Sequence, residues 1–151
     1  MGPPVQGLPT DATALSVNFC APMPNNPHAL RVLIVDDELL IRWSLAETLS
    51  ACGHIVTEAG DAAATRRAVV DPSQRPDVVL LDYRLPDSND LGLLGAIRRA
   101  APDTQVILMT AHGTPEIARG ALELGAYRVV SKPFSVQDVA ALVSEAHASA
   151  H

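Results

Sequence analysis

The sequence predicts an α/β fold in which five parallel strands form one sheet with helices on both faces. From residue 30 onward, short apolar runs alternate with longer stretches of helical periodicity. Parallel strands that are covered on both faces typically appear as such continuous apolar runs. With 151 residues, of which 48% are hydrophobic, the chain is long enough for one domain with a substantial core.

Five apolar runs have the length of β-strands. Three of them are almost continuously apolar, whereas the second, HIVTE, is more polar and alternates. Such alternation is typical of a strand at the edge of a sheet. The runs are 31–35, 54–58, 77–81, 105–109 and 127–131.

Between the runs, apolar residues recur at helical spacing, as at Ile41, Leu45 and Leu49. Residues that terminate helices follow three of these stretches: Gly53, Pro102 and Gly125. We expect the last helix to end near Ala146. Alternating strands and helices with right-handed crossovers build a doubly wound sheet, and a five-stranded one suits the flavodoxin-like order 2-1-3-4-5.

The chain divides into three predicted segments, a leader (1–29), a domain (30–147) and a C-terminal tail (148–151). The leader contains six prolines and a single charged residue, Asp11, which predicts disorder. Met23 is an alternative start, and residues 1–22 would then not belong to the native protein.

The composition disfavours several classes of partner. The net charge of −6 and the pI of about 5.2 argue against direct binding of nucleic acid, because phosphate contacts require concentrated Lys and Arg. No apolar stretch is long enough to span a bilayer, and the N-terminus lacks the pattern of a secretory signal. We therefore expect a cytoplasmic protein that binds neither nucleic acid nor membranes.

Chemically active side chains follow four of the predicted strands. They are Asp36 and Asp37 after the first run, Asp82 after the third, Thr110 after the fourth and Lys132 after the fifth. Ligands of doubly wound sheets bind beyond the carboxyl ends of the strands, so we expect these side chains to converge. Three clustered carboxylates repel one another unless a cation joins them, and hard oxygen ligands suit Mg²⁺ or Mn²⁺. Such a site suits a phosphoryl group, with Asp82 as nucleophile.

Four motifs at these positions resemble the receiver domain of bacterial two-component response regulators. They are LIVDDE (33–38), VVLLDYRLPD (78–87), VILMTA (106–111) and SKPF (131–134). The resemblance covers residues 30 to about 147. It implies a domain that accepts a phosphoryl group in a Mg²⁺-dependent reaction.

The resemblance also implies roles for individual residues. Asp82 would accept the phosphoryl group. Mg²⁺ would be held by Asp37 directly, by Asp36 (often through water), by Asp82 and by the backbone carbonyl of Arg84.

Two further side chains would complete this predicted site. Lys132 would contact the phosphoryl oxygens, and Thr110 would shift to hydrogen-bond them. The Lys132–Pro133 peptide bond would be cis.

Two positions depart from the family pattern. The family usually has Tyr or Phe three residues before the lysine, and the inward movement of that ring reports phosphorylation; this chain has Val129 there. Tyr127 lies two residues earlier, on the same face of the expected strand, and whether it replaces the missing aromatic stays open. Asp90 stands where the family commonly has Gly, a mild exchange because Asp tolerates left-handed backbone and caps helices.

Each site residue also has a simple structural interpretation. Asp36, Asp37 and Glu38 could cap the first helix, because acids favour helix N-termini. Lys132 alone could be a surface lysine, and Thr110 a strand-end threonine. Their joint position at the ends of four strands favours the functional interpretation.

We expect a stand-alone response regulator receiver whose only chemistry is self-catalysed phosphotransfer and autodephosphorylation, rather than an enzyme. Its phosphoryl donor would be a sensor histidine kinase or a histidine phosphotransfer protein. A downstream effector would bind the face formed by the fourth helix, fifth strand and fifth helix. The domain would be a monomer or a weak homodimer.

Four other functions can be compared with this one. The domain could be a phosphorelay intermediate or a phosphorylation-independent interaction module. An aspartate-dependent phosphohydrolase is disfavoured, because that class carries a second Asp two residues after the nucleophile and this chain has Arg84 there. A nucleotide-binding oxidoreductase is excluded, because no G-x-G-x-x-G follows the first run.

Overall fold

The computed structural model describes residues 29–150, and the expectations for the leader and for a start at Met23 therefore fall outside the described residues, except at residue 29. The described chain contains one five-stranded sheet in the order β2-β1-β3-β4-β5, and every neighbouring pair of strands is parallel. The strands are β1 (Arg31–Val35), β2 (Ile55–Ala59), β3 (Val78–Asp82), β4 (Gln105–Thr110) and β5 (Arg128–Ser131). The flavodoxin-like order predicted from the sequence is confirmed.

Within the described residues, five helices connect or follow the strands. They are α1 (Leu39–Ala51), α2 (Ala62–Val70), α3 (Gly92–Ala100), α4 (Pro115–Glu123) and α5 (Val136–Ala150). The expected end of the last helix near Ala146 was wrong: α5 continues to Ala150, into the segment expected to form a tail. Its C-terminal sequence, HASA, contains neither Gly nor Pro to stop it. Among the described residues, no helix is long and apolar enough to cross a membrane.

Alternate residues of the central strands feed two separate cores, which explains their continuous apolar sequence. In β1, Leu33 and Val35 pack with residues of α2, α3 and α4. Val32 and Ile34 point to the opposite face, where α1 and α5 pack. Both faces of the sheet are therefore covered by helices. The ends of the strands remain available for a binding site.

Strand β2 lies at the edge of the sheet, as its alternating sequence predicted. Only Ala59 of this strand is buried, whereas all five residues of the central β3 are buried. The predicted runs at 54–58 and 77–81 begin one residue before the strands. His54 and Asp77 instead accept hydrogen bonds from the backbone N–H groups of Leu30 and Arg31, respectively.

Candidate functional site

Asp36 and Asp37 lie where β1 leaves the core. The backbone N–H of Asp36 still donates to the carbonyl of Ala59, at 3.1 Å, so the strand pairing with β2 extends to this residue. The Asp36 side chain is fully buried, and its Oδ1 accepts a hydrogen bond of 2.8 Å from the N–H of Glu38. Asp37 is exposed. The end of β1 thus presents one fixed and one accessible carboxylate.

Asp82 is the last residue of β3 and leaves only 6% of its surface exposed. Its Oδ1 accepts a hydrogen bond of 3.4 Å from the backbone N–H of Arg84. One carboxylate oxygen from each of Asp36, Asp37 and Asp82 lies within 4.8 Å of the other two. Adjacent parallel strands therefore bring together the three acids that the sequence predicted to converge.

Lys132 contacts three carboxylates through one ammonium group. Its Nζ lies 2.8 Å from Asp36 Oδ2, 3.2 Å from Glu38 Oε1 and 3.4 Å from Asp82 Oδ1. Its own side chain is 9% exposed. The Lys132–Pro133 peptide bond is cis, as expected. The lysine thus joins the loop after β5 to the ends of β1 and β3.

Glu38 has a role that differs from the alternative of helix capping. It occupies the N-cap position of α1, but its side chain makes no capping hydrogen bond. The carboxylate contacts Lys132 instead. The acidic run DDE after a strand was the signal in the sequence, but the partner of its third acid could not be inferred from spacing.

Thr110, the last residue of β4, is almost fully buried. Its hydroxyl accepts a hydrogen bond of 3.1 Å from the N–H of His112, and its carbonyl accepts one of 2.8 Å from the N–H of Lys132. Within residues 29–150, the Thr110 hydroxyl makes no hydrogen bond to the acidic cluster. The structure therefore places Thr110 beside the residue Lys132, with its hydroxyl hydrogen-bonded to the backbone of the loop after β4.

The electrostatics of the cluster set the charge of Asp82. Burial, together with the negative charge of Asp36, raises the pKa of Asp82 from 3.8 to about 6, against the opposing effect of the Lys132 ammonium. Burial alone would lower the pKa of Lys132, but its hydrogen bond to Asp36 and the charges of Asp82 and Asp36 outweigh burial and raise it. At neutral pH the site therefore contains an ionised Asp82 beside an ammonium ion.

The donor set fits a hard divalent cation. Three carboxylate oxygens converge, and within the described part of the chain the Asp37 carboxylate and the Arg84 carbonyl accept no hydrogen bond. Hard oxygen ligands are those that Mg²⁺ and Mn²⁺ prefer. One lysine does not neutralise the surrounding carboxylates, so a cation at this edge would relieve their repulsion.

Comparison with known proteins identifies the family. Residues 32–144 match the family described as "Response regulator receiver domain". The chain belongs to the response regulator receiver family. This receiver domain is accordingly a module of two-component signalling systems, as the four sequence motifs predicted.

Relatives of the receiver domain include longer regulators. It is 37% identical over 115 residues to the DNA-binding transcriptional regulator NtrC of Escherichia coli K12, an alignment that covers 76% of this chain and 24% of the relative. NtrX from Brucella abortus has a TM-score of 0.70 at 37% identity, with 81% of this chain and 27% of that chain covered. The chain thus spans about a quarter of the length of these regulators.

A second solved structure matches over nearly its full length. The CheY-like receiver domain protein from Methanospirillum hungatei JF-1 has a TM-score of 0.76 at 25% identity, with 81% of this chain and 96% of that chain covered. The sheet order and helical layers described above are therefore those of a receiver domain.

Tyr127, which directly precedes the edge strand β5 of the receiver, does not lie on the face of the sheet that the sequence predicted. Tyr127 precedes β5, so strand alternation does not relate it to Val129. Tyr127 packs with the core on the side of α1 and α5, and its hydroxyl donates to Glu145 of α5. Val129 packs with the opposite core. The expectation that both residues share a strand face was wrong, and Tyr127 lies on the wrong side of the sheet to replace the missing aromatic.

Proposed function

We propose that this receiver domain accepts a phosphoryl group on Asp82 from a sensor histidine kinase or a histidine phosphotransfer protein. The observation that carries the proposal is the position of Lys132 Nζ, 3.4 Å from Asp82 Oδ1, at a cluster that also contains Asp36 and Asp37. A nucleophile, a counter-ion for developing charge and the oxygen ligands for a divalent cation therefore meet at the carboxyl ends of the strands. Phosphoryl transfer depends chiefly on this kind of positioning and charge stabilisation.

In the proposed reaction, a carboxylate oxygen of Asp82 attacks the phosphorus of a phosphohistidine. The O–P bond forms as the N–P bond breaks, and the imidazole leaves with the electron pair and takes up a proton from water. Asp82 is ionised at neutral pH, because its pKa of about 6 lies below that pH.

The remaining residues orient the transferred group. Asp36, Asp37, Asp82 and the carbonyl of Arg84 would hold Mg²⁺ or Mn²⁺. When bound, the metal ion supplies positive charge that neutralises the acids and orients phosphoryl oxygens. Lys132 would exchange its contact with Asp82 for one with a phosphoryl oxygen.

Signalling would proceed from Thr110 to the face formed by α4, β5 and α5. The new phosphoryl oxygens are strong acceptors, and the Thr110 hydroxyl would turn from the N–H of His112 towards them. Leu122 and Leu124, both more than two-fifths exposed, lie in and directly after α4, and their exposure supports the use of α4 by an effector protein. The bistable element would be the loop and helix that follow Thr110.

Several expectations stay predictions. The relatives include regulators about four times as long as the aligned region, so the stand-alone organisation expected here is a separate proposal from phosphorylation. The absence of direct nucleic-acid binding, the cytoplasmic location and the monomeric or weakly dimeric state are likewise proposals. A relay intermediate would use the same chemistry at Asp82 and pass the phosphoryl group to a histidine.

The test uses the full chain with acetyl phosphate and Mg²⁺, followed promptly by intact-mass measurement. Wild type should gain one phosphoryl group, and Asp82→Asn should gain none. Asp103→Asn is a matched control, because Asp103 is exposed in the turn after α3, at the other end of the sheet. An adduct on Asp82→Asn as large as that on wild type would refute the assignment of the acceptor.

A phosphorylation-independent interaction module is the second candidate, and Val129 at the position of the usual aromatic favours it. That candidate predicts no mass increase in wild type under any of these conditions. It also predicts that partner binding is the same with and without acetyl phosphate.

A further inference from the structure

The guanidinium group of Arg42 binds the backbone of the segment that carries Asp36 and Asp37. Arg42, in the first turns of α1, donates from Nη1 to the carbonyl oxygen of Asp36 at 2.7 Å. The same side chain donates from Nε to Glu58 Oε1, on the edge strand β2, at 2.9 Å. Arg42 is only 20% exposed. Its two hydrogen bonds connect α1, β2 and the loop that follows β1.

The carbonyl that Arg42 holds belongs to the peptide that joins Asp36 to Asp37. Holding this peptide restrains ψ of Asp36 and φ of Asp37, and it therefore limits the directions that both side chains can take. The N–H of Asp36 is already held by the carbonyl of Ala59. Arg42 therefore supplies a further restraint, at the carbonyl, on the backbone that carries two of the proposed metal ligands.

Glu58 orients Arg42. An arginine beside three carboxylates would otherwise be drawn into the acidic cluster, where its charge would compete with a metal cation. The Glu58 carboxylate holds the planar guanidinium so that a second N–H meets the backbone carbonyl. Gly60 leaves room for this arrangement, because a Cβ at that position would lie 3.2 Å from Arg42 Nη1.

We propose that Arg42, oriented by Glu58, is a positioning residue for the divalent-cation site, acting through the Asp36–Asp37 peptide. This inference rests on the proposed function, since it assumes that the acidic cluster binds Mg²⁺. Arg42 does not touch the metal ion or the phosphoryl group. Residues that orient metal ligands from outside the coordination sphere typically change metal affinity 10- to 100-fold when mutated, to order of magnitude.

The sign of the effect separates positioning from electrostatics. Removal of a positive charge near a cation site strengthens cation binding if only Coulomb forces act. Loss of the backbone restraint weakens binding instead. Arg42→Gln should therefore bind Mg²⁺ roughly tenfold more weakly than wild type, whereas Arg67→Gln, which removes the same charge from an exposed site on α2, should bind it as tightly or slightly more tightly.

Arg42→Lys keeps the charge and most of the packing of the side chain, and it serves if Arg42→Gln does not fold. A lysine donates from a single nitrogen, so it lacks the two separate nitrogens with which the guanidinium meets Glu58 and the Asp36 carbonyl. It should bind Mg²⁺ several-fold more weakly than wild type. At saturating Mg²⁺, both variants should regain most of the wild-type rate of phosphorylation by acetyl phosphate, because the reacting groups are intact.

Mg²⁺ affinity is measured by isothermal titration calorimetry on the full chain, with thermal melting in EDTA to confirm folding. The fluorescence of Trp43, the chain's one tryptophan and the neighbour of Arg42 in α1, provides a second readout. If Arg42→Gln and Arg42→Lys bind Mg²⁺ as tightly as wild type, the inference is wrong while the proposed function stands. If wild type itself binds no Mg²⁺, the proposed function and this inference both fail.

Discussion

The ammonium nitrogen of Lys132 lies 3.4 Å from Oδ1 of Asp82, although Asp82 ends β3 and Lys132 directly follows a different strand, β5. Lys132 is also the chain's one lysine, since the other ten basic side chains among its eleven Lys and Arg residues are arginines. A compact ammonium fits among three carboxylates, whereas a planar guanidinium requires paired acceptors. Both the presence of lysine rather than arginine and the positions of the carboxylates therefore favour a compact ammonium ion here.

Lys132→Met should slow phosphorylation of Asp82 by acetyl phosphate about 100-fold, because a preorganised charge that meets developing negative charge contributes that order of rate. Mg²⁺ binding should be retained, since the three acids remain. Lys132→Arg should not restore the rate. Time courses of intact mass at saturating Mg²⁺ measure the effect, and an unchanged rate in Lys132→Met would contradict the role given to the lysine.

Asp82→Asn should stabilise the metal-free fold above pH 6. The pKa of Asp82 is raised from 3.8 to about 6, so the folded state binds the proton more tightly than the unfolded state does. Stability is therefore lost as pH rises from 3.8 to about 6, and the cost persists at neutral pH. Relief of this cost is worth about 1–2 kcal/mol after screening, or about 5 °C in Tm.

Asp87→Asn makes the same chemical change but should change the stability of the fold in the opposite direction. The hydrogen bond from the N–H of Ala62, and a second from the N–H of Ala63, lower the pKa of Asp87. Its charge therefore favours the fold, and its loss should lower Tm at neutral pH. Thermal melts in EDTA measure both variants. A lower Tm for Asp82→Asn than for wild type would show that the acids do not repel one another as the structure indicates.

His54 should make the fold sensitive to acid. Burial lowers the pKa of His54 from 6.5, against the opposing charge of Asp77, and its neutral Nδ1 accepts a hydrogen bond from the N–H of Leu30. The unfolded state therefore binds the proton more tightly than the folded state. The contribution is fully present above pH 6.5 and is lost as pH falls through the lower, folded-state pKa.

His54→Gln should flatten this part of the pH dependence. The difference in Tm between wild type and His54→Gln should shrink or reverse on acidification below pH 6.5. His112→Gln is the control, because His112 is exposed in the loop after β4. A difference in Tm between wild type and His54→Gln that does not change with pH would rule out titration of His54 as the cause.

The sequence predicted the parts of the site that strand ends determine. Parallel strands end at one edge, so Asp36, Asp82 and Lys132 could be placed together from the pattern alone. The partners of long side chains could not be placed. Arg42 was missed because its position depends on Glu58, which lies on β2, and strand order alone does not fix where a flexible side chain ends.

Tyr127 shows a second limit of prediction from sequence, because here a residue was placed but on the wrong face of the sheet. Its predicted face followed from strand periodicity, but periodicity applies only within a strand, and β5 begins at Arg128. A boundary shifted by one residue moved the side chain to the other core. The same argument explains why α5 was predicted too short: helix ends depend on stop signals, and the tail lacks them.

The position of Tyr127 leads to a last prediction, that it takes no part in switching. Its hydroxyl donates to Glu145, and Arg128 contacts both the Tyr127 ring, at 5.3 Å from its centroid, and the Glu145 carboxylate, at 3.0 Å. These contacts, between a partly buried Tyr127 and the exposed Arg128 and Glu145, tie β5 to α5 on the side of the sheet away from Val129. Exposed ion pairs contribute little to stability.

Tyr127→Phe should therefore be phosphorylated by acetyl phosphate at the wild-type rate. It should also show the same phosphorylation-dependent change in hydrogen exchange across α4. Thr110→Val, which removes the hydroxyl but keeps the shape of the side chain, should still be phosphorylated and should lose that change. Hydrogen exchange measured by mass spectrometry with and without acetyl phosphate distinguishes the two variants. If Tyr127→Phe loses the change across α4 while Thr110→Val retains it, the switch runs through α5 and the route proposed here is wrong.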